Sequence, residues 1–315
     1  MEQRALRLGT VVLIVAVLLR LGANRQDLKR EAATTLLLLS SGRMVTQTEP
    51  ADPTEQTQTG ETEPVAAVPV FGQAETALVQ VSSQWEVDTL ALLQAPLHWE
   101  LRGEAPTVLI VHTHTTESYE NTQGYAQTTP YRTLEEDYNM LSIGDAVARR
   151  LEQAGIGVIH DRTLYDYPSY SDAYQNAREG IRAQLVQNPT ICLVLDLHRD
   201  AAQDETGKQI ARTATVEGEQ TAQLMLVMGS DKGALTHEQW QKNLSLAMKL
   251  HAQLEKARPG LCRPIRLQAS RYNQDLSPGA LLVEVGSAGN THEEALRGAE
   301  YLAEGIIALA NGANT

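Results

Sequence analysis

The chain has 315 residues, of which 42% are hydrophobic and 21% are charged, and its formal net charge is -13 at pH 7. These proportions are ordinary for a globular protein, and the length allows one large domain or two small ones. The excess of acidic residues argues against a nucleic-acid-binding protein, because phosphate contacts require clustered Lys and Arg.

The chain begins with an apolar segment that follows basic residues. Arg4 and Arg7 precede the apolar stretch 8–19. This order is typical of a signal peptide or a signal anchor. The stretch is shorter than the roughly 20 residues that span a bilayer, but Arg20 is long enough to reach the interface. No A-x-A cleavage site follows, so we predict an uncleaved transmembrane anchor at residues 1–23.

Residues 24–105 are predicted to be a linker that is mostly flexible and acidic. No Lys or Arg occurs in residues 44–101, and residues 49–64 consist almost entirely of Thr, Gln, Glu, Asp and Pro. Such a composition buries too little apolar surface to offset the entropy of ordering the chain. We therefore predict that a single folded, catalytic domain occupies residues 106–315.

Within this domain, short apolar strands alternate with amphipathic helices. The predicted strands cover residues 108–111, 157–160, 191–197, 213–216, 223–228, 265–267 and 281–285. Apolar residues recur at three- and four-residue spacing in the predicted helices, which cover residues 140–154, 172–187, 237–257 and 292–310. This alternation predicts an α/β domain with a mostly parallel central sheet flanked by helices. In such sheets, functional sites form where the strands end.

Three of the predicted strands bear ionisable side chains in or directly after them. In chain order these residues are His112, His114, Glu117, Asp196, His198, Arg199 and Glu284. A buried sheet does not tolerate unpaired charges, so each group needs a partner or a metal ion. A shared zinc ion would satisfy them together, because zinc in hydrolases takes three protein ligands and leaves one position for water.

The predicted zinc ligands are His114, Glu117 and His198. His114 and Glu117 form an H-x-x-E pair just after a strand, and His198 comes from a neighbouring strand. His112 alternates with His114 and should face the same way on an extended strand. The two histidines therefore compete for one metal, and we expect His114 to bind it. The rival carboxylate ligands are Glu120, Glu135 and Glu136.

Glu284 is the predicted catalytic residue. A lone carboxylate in an apolar strand has a raised pKa, as a general base and acid near neutral pH requires. Asp196 is expected to orient a ligand, because metal-bound His usually donates its other ring nitrogen to a carboxylate or carbonyl. The further candidates for a role beside the metal or in substrate binding are His112, Arg199 and Arg271.

No comparable group of candidate site residues forms around the remaining histidines or the two cysteines in the sequence. We leave out the histidines on predicted helices or strand ends, which are His160, His237, His251 and His292. Two cysteines are too few for a metal site built from thiolates, which takes three or four ligands. Cys192 lies in an apolar run and is expected to be a buried hydrophobic residue. The sequence does not decide whether it forms a disulfide with Cys262.

Four segments together are far more specific than an H-x-x-E pattern. They are VLIVHTHTTESY, GIGVIHDRTLYDYPSYSDAY, LVLDLHRD and YNQDLSPGALLVEVGSAGNTHEEA. In this order, over residues 106–309, they resemble the stage II sporulation protein P family of endospore-forming bacteria. The resemblance implies a fold similar to that of cell-wall amidases and, more distantly, of zinc carboxypeptidases.

The resemblance also implies an activity and a setting. The activity is that of a zinc-dependent N-acetylmuramoyl-L-alanine amidase that also acts as an endopeptidase on peptide cross-links. His114 and His198 match the zinc histidines, and Glu284 in LLVEVGS matches the catalytic glutamate. Glu117 remains the expected third ligand. The implied partners are peptidoglycan and the stage II sporulation proteins D and M, during forespore engulfment.

The implied location is the mother-cell membrane, which the chain would cross once, with the catalytic domain outside the cytoplasm and facing the septal wall. Two other functions remain open from the residues alone. One is a carboxypeptidase-like zinc peptidase that trims free protein C-termini. The other is a non-catalytic, anchored wall-binding module. The substrate distinguishes the carboxypeptidase-like peptidase, which would act on ordinary peptides, from an amidase, which would act on sugar-linked stem peptides. Bound zinc and turnover distinguish an amidase from the binding module, which would have neither.

Overall fold

Strands and helices alternate through the residues that the computed structural model describes, which are 71–97, 100–103, 105–120, 125 and 129–312. The strands there are β1 Val81–Ser82, β2 Val108–Val111, β3 Val158–His160, β4 Leu193–Asp200, β5 Thr213–Val216, β6 Glu219–Ala222, β7 Leu224–Gly229, β8 Ile265–Gln268 and β9 Ala280–Ser287. The helices are α1 Gln73–Thr76, α2 Thr89–Gln94, α3 Met140–Gln153, α4 Ala173–Gln187, α5 Trp240–Ala257 and α6 His292–Ala310. Two short 3-10 turns cover Glu136–Tyr138 and Gln274–Leu276.

Seven of these strands form one sheet in the order β1-β8-β7-β9-β4-β2-β3. Neighbouring strands run parallel, except that β7 and β9 are antiparallel. The separate hairpin β5–β6 is antiparallel. Strands β2 and β7 are buried along their whole length, as parallel sheets covered on both faces require. The predicted α/β domain with a mostly parallel sheet is therefore confirmed.

Helices cover both faces of this sheet. Helices α3, α5 and α6 contribute Ile143, Leu250 and Leu302 to the larger core, which includes Ile110 of β2. On the opposite face, Ile181 of α4 packs with residues of β2 and β4 in a smaller core. The alternation of side chains along β2 thus supplies both cores. A cavity lined in part by Tyr174 of α4 lies on the α4 face of the sheet.

Residues 71–97, 100 and 101 belong to the fold, so the predicted linker boundary at residue 105 is too far along the chain. Phe71, Leu93 and Leu101 are buried in the larger core. Strand β1 pairs with β8 at the edge of the sheet, and Ser245 of α5 donates a hydrogen bond to the Leu92 carbonyl at 2.7 Å. The lack of basic residues suggested a linker here, but the apolar residues of this stretch are frequent enough to pack.

The predicted anchor at residues 1–23 and the first part of the linker lie outside the described residues. Within the part of the chain that the structure describes, no helix is long and apolar enough to cross a membrane. Both cysteines are free. Cys192 directly precedes β4, and the backbone of Cys262 pairs with that of Leu224 of β7 in an isolated β-bridge. Because β9 separates these two strands, the cysteines are too far apart for a disulfide.

A partly buried ion pair ties α4 to the turn before β9. Arg178 donates two hydrogen bonds to Asp275, at 2.8 and 2.6 Å. Arg271 adds a contact from its Nε at 3.2 Å. Burial raises the pKa of Asp275, but the two guanidinium groups outweigh it and hold that pKa below its usual value. This pair fixes the segment that contains Tyr272 against α4.

We expect Asp275→Asn to lower the free energy of unfolding by about 1–2 kcal/mol at pH 7, because it leaves the guanidinium group of Arg178 without its counter-charge at a partly buried site. The lowered pKa means that the ionised carboxylate stabilises the fold above the unfolded pKa of about 4, and that this contribution is lost as pH falls below it. Urea unfolding at pH 7 and pH 3 should therefore show a smaller difference between variant and wild type at pH 3. An equal difference at both values would contradict the ion-pair account.

Candidate active site

The sheet brings three of the predicted site residues to one face. In the parallel pair β4–β9, His198 is in register with Glu284, and Asp196 of β4 is in register with Val111 at the end of β2. Residues in register on neighbouring strands point to the same face. Asp196, His198 and Glu284 therefore share the face that is covered by α4, next to the point where β2 ends.

A tight turn after β2 separates His112 from His114. The strand ends at Val111. Asp196 then accepts hydrogen bonds from Thr113, at 2.8 Å from the backbone N–H and 2.6 Å from the hydroxyl. These two hydrogen bonds bend the chain after β2, so His112 and His114 lie on opposite sides of the sheet. The expectation that both face the same way was wrong, because extended geometry does not continue past Val111.

His112 lies on the face covered by α3 and does not line the site. Its Nδ1 is 3.1 Å from the Leu197 carbonyl, and its Nε2 is 2.8 Å from His160 Nε2. His160 in turn contacts Asp145 at 2.9 Å. Burial lowers the pKa of His112 to about 3. The contact of His160 with His112 was not foreseen, since residues 48 positions apart share no sequence pattern.

His114, Glu117, His198 and Glu284 line one cavity of about 310 Å³. Arg199 also lines it. Its Nε and guanidinium NH2 groups donate to the Ser118 and Tyr131 carbonyls at 3.0 and 2.9 Å, and a further guanidinium nitrogen lies 3.4 Å from Glu117. Arg199 thus holds the turn after β2 and the carboxylate of Glu117 together. The rival ligands Glu120, Glu135 and Glu136 are exposed and are not part of the cavity wall. Arg271 pairs with Asp275 instead of lining the cavity.

His198 lies between two carboxylates. Its Nδ1 is 3.6 Å from Glu117 Oε2, and its Nε2 is 2.9 Å from Asp196 Oδ1, close enough for an ion pair although not aligned as a hydrogen bond. Burial lowers the pKa of His198, but Asp196 and Glu117 outweigh it and hold the pKa well above its usual value. Burial raises the pKa of the Glu117 carboxyl, but the positive charges of Arg199 and His198 outweigh it and lower that pKa to about 2. The environment therefore favours positive charge at His198.

Glu284 projects from β9 into the same cavity. Its Oε2 atom is buried and has no hydrogen-bond partner among the described residues. Burial raises the pKa of Glu284 to about 8, with a further upward contribution from Glu117. A carboxyl group with this pKa can hold or release a proton near neutral pH, as a general acid and base must.

Aromatic side chains pack around His114. Tyr170 stacks on its ring at 4.3 Å between centroids, and Tyr174 of α4 meets it edge-on at 5.5 Å. Arg132 lies 4.2 Å from the centre of the Tyr170 ring and pairs with Asp166. Sequence reasoning missed these residues. The available signal was the repeated tyrosine in YPSYSDAY, which places two rings four residues apart at the start of a helix.

The donor atoms of the cavity fit a zinc ion by their chemistry. In the described residues, no three His, Cys, Asp or Glu side chains form a ready metal cage. His114 Nδ1 is nevertheless buried without a partner, and His198 Nδ1 faces the Glu117 carboxylate across 3.6 Å. Two imidazoles and one carboxylate are a donor set that zinc takes in hydrolases.

Solved structures resemble this chain only distantly. The N-acetylmuramoyl-L-alanine amidase AmiC2 of Nostoc punctiforme matches with a TM-score of 0.38 and 15% identity, over 65% of this chain and 96% of that one. An N-acetylmuramoyl-L-alanine amidase from Clostridium difficile 630 matches with a TM-score of 0.37 and 19% identity, over 66% and 95%. Because these scores are low, we draw no conclusion from them.

Sequence comparison is more informative. The stage II sporulation protein P of Bacillus subtilis (strain 168) is 30% identical over 213 residues, which are 64% of this chain. The chain spans about half the length of this curated relative. The profile of the family described as Stage II sporulation protein P (SpoIIP) matches residues 23–307, which include every predicted site residue. The chain belongs to the stage II sporulation protein P family.

Proposed function

We propose that this chain is a zinc-dependent peptidoglycan hydrolase that cleaves the amide bond between N-acetylmuramic acid and the L-alanine of the stem peptide. The observation that supports this most strongly is the placement of Glu284, with its partnerless Oε2, in one cavity with His114, His198 and Glu117. Membership of the stage II sporulation protein P family and the amidase implied by the sequence resemblance agree with it.

In this proposal His114, Glu117 and His198 hold the zinc ion. When bound, zinc lowers the pKa of a water molecule and polarises the substrate carbonyl. Asp196, 2.9 Å from Nε2 of His198, favours a proton on that nitrogen, which leaves Nδ1 free as a ligand. Arg199 keeps Glu117 ionised and in place.

Glu284 moves the protons of the reaction. It accepts a proton from water as the water oxygen bonds to the amide carbon, and returns it to the amine as the carbon–nitrogen bond breaks. The products are a muramic acid carboxylate and a stem peptide with a free amino terminus. The positive charge at His198 lowers the pKa of Glu284 against the larger effect of burial, and the resulting pKa of about 8 lets the group both accept and return a proton near neutral pH.

Digestion of purified peptidoglycan by the full chain tests this function. Mass spectrometry should detect free stem peptides and glycan strands without peptide, and a chelator should stop their release. Release of single C-terminal residues from ordinary peptides, with muramoyl amides left intact, would instead support a carboxypeptidase-like enzyme. Absence of both zinc and turnover would support a non-catalytic wall-binding module.

The wider setting is also a proposal. We infer from the family that residues 1–23 anchor the chain in the mother-cell membrane, with the catalytic domain facing the septal wall outside the cytoplasm. On the same basis we propose that it acts with the stage II sporulation proteins D and M, and that it also cleaves peptide cross-links. Digestion of cross-linked muropeptide dimers, followed by mass spectrometry, tests the endopeptidase activity.

Asp196→Asn should weaken zinc binding about 10- to 100-fold with little change in fold. The amide keeps an acceptor for Thr113 but removes the negative charge beside His198. Competition with a fluorescent chelator measures the affinity. Asp275→Asn is the matched control, since it makes the same chemical change outside the cavity, and it should leave zinc affinity as in wild type. Equal affinities for Asp196→Asn and wild type would remove Asp196 from the account.

A further inference from the structure

The cavity extends from the candidate catalytic residues across the face of the sheet. Val227 of β7 is in register with Leu282 of β9 and with Arg266 of β8. In-register neighbours point to the same face, and all three residues line the cavity. A row of side chains therefore leads from Leu282, two positions before Glu284, to Arg266.

The floor between the two ends of this row is apolar. Leu282 and Val227 are buried and pack with Met225 in one cluster, against which Tyr272 lies. Such a floor accepts the backbone and aliphatic side chains of an extended peptide but offers it no charge. The next cationic group that a peptide meets after crossing this floor is Arg266.

Among the described residues that line this cavity, Arg266 is the arginine that has no counter-charge. Arg132 pairs with Asp166, and Arg199 pairs with Glu117. Arg266 is exposed, and among the residues described no carboxylate lies within ion-pair distance of it. A guanidinium group that is not committed to a protein carboxylate is suited to bind one on a ligand in bidentate fashion.

The spacing fixes where such a ligand group must be. Neighbouring strands are about 4.8 Å apart, so β8 lies about 10 Å from β9, and Glu284 lies a further two residues, about 7 Å, along β9 from Leu282. The backbones of Glu284 and Arg266 are therefore about 12 Å apart, part of which the long Arg266 side chain spans. An extended peptide advances about 3.3 Å per residue. We propose that Arg266 binds a carboxylate on the peptide side of the scissile amide, two to three residues from it. This inference rests on the proposed amidase function, and it assigns the peptide to the β7–β8 side of the cavity.

The test compares muramoyl pentapeptides that have either a free carboxylate or a carboxamide on the side chain of their second or third residue. For the wild-type full chain, KM should be about tenfold higher for the carboxamide at one of these positions, with kcat nearly unchanged. Arg266→Gln should raise KM about tenfold for the carboxylate substrate and leave the carboxamide substrate unaffected. Arg266→Lys should recover part of the loss.

Arg149→Gln is the matched control, because Arg149 is exposed on α3 and does not line the cavity. It should leave both KM values unchanged. Equal effects of Arg266→Gln on the two substrates would overturn the inference, because the arginine would then not contact the carboxylate.

A direct titration separates this inference from the proposed function. Calorimetry of the Glu284→Gln protein with the same peptides measures binding without turnover, and the free carboxylate should bind about tenfold more tightly than the carboxamide. If the wild type cleaves no muramoyl amide, the proposed function fails while this titration still decides the role of Arg266. Equal affinities for the two peptides would refute that role.

Discussion

Glu284→Gln should lower the rate of stem-peptide release on the order of 10²- to 10⁴-fold, the usual contribution of a general acid–base residue. Gln has the shape of Glu but cannot accept a proton from water. Because burial raises the pKa of Glu284 to about 8, the carboxyl is mostly neutral at pH 7 in the metal-free protein, and Gln imitates that neutral form. The substitution should therefore leave the fold and the zinc content close to those of wild type.

Steady-state release of stem peptides, measured at fixed zinc, checks this expectation. Glu120→Gln is the matched control, since Glu120 is exposed and lies outside the cavity wall. The control should retain wild-type activity. Undiminished release by Glu284→Gln would remove Glu284 from the role of general base.

His198→Ala and His114→Ala should each remove most of the bound zinc and lower activity on the order of 10³-fold or more, since the metal supplies several kcal/mol of transition-state stabilisation. His198→Ala has the further effect of leaving Glu117 and Asp196 without the positive charge between them. We therefore expect the His198 variant to lose more thermal stability than the His114 variant.

Zinc content by mass spectrometry, together with the thermal midpoint, measures both effects. His112→Asn is the informative control, because His112 neighbours His114 in sequence but contacts His160 on the other side of the sheet. It should lose stability and keep its zinc. Loss of zinc from His112→Asn, with retention in His114→Ala, would reverse the assignment of the two histidines.

Most of the fold follows from local sequence patterns. Helix α6 has the predicted bounds because Thr291 and Glu294 form a reciprocal capping box at its start. Strand β2 also has the predicted bounds, since its four apolar residues are buried. Strand β6 was missed because Glu219–Ala222 is mostly polar and pairs only within its hairpin. Strand β1 has two residues, too few for any periodicity.

The site was predicted less completely than the fold. Glu284 and His198 could be singled out because a charged residue in an apolar strand is conspicuous, and their register in β9 and β4 brings them together. The opposite placement of His112 and His114 could not be predicted, since it depends on hydrogen bonds between Thr113 and Asp196, 83 residues apart. Arg266 was missed because a charge alternating with apolar residues on a strand usually indicates only an exposed face.

The most direct test of the metal assignment is a crystal structure of the full chain grown with zinc, with diffraction measured on both sides of the zinc absorption edge. The account predicts one strong anomalous peak in the cavity, bound by His114, Glu117 and His198, with Glu284 facing it. A peak between His112 and His160, or none in the cavity of a protein that hydrolyses peptidoglycan, would contradict it.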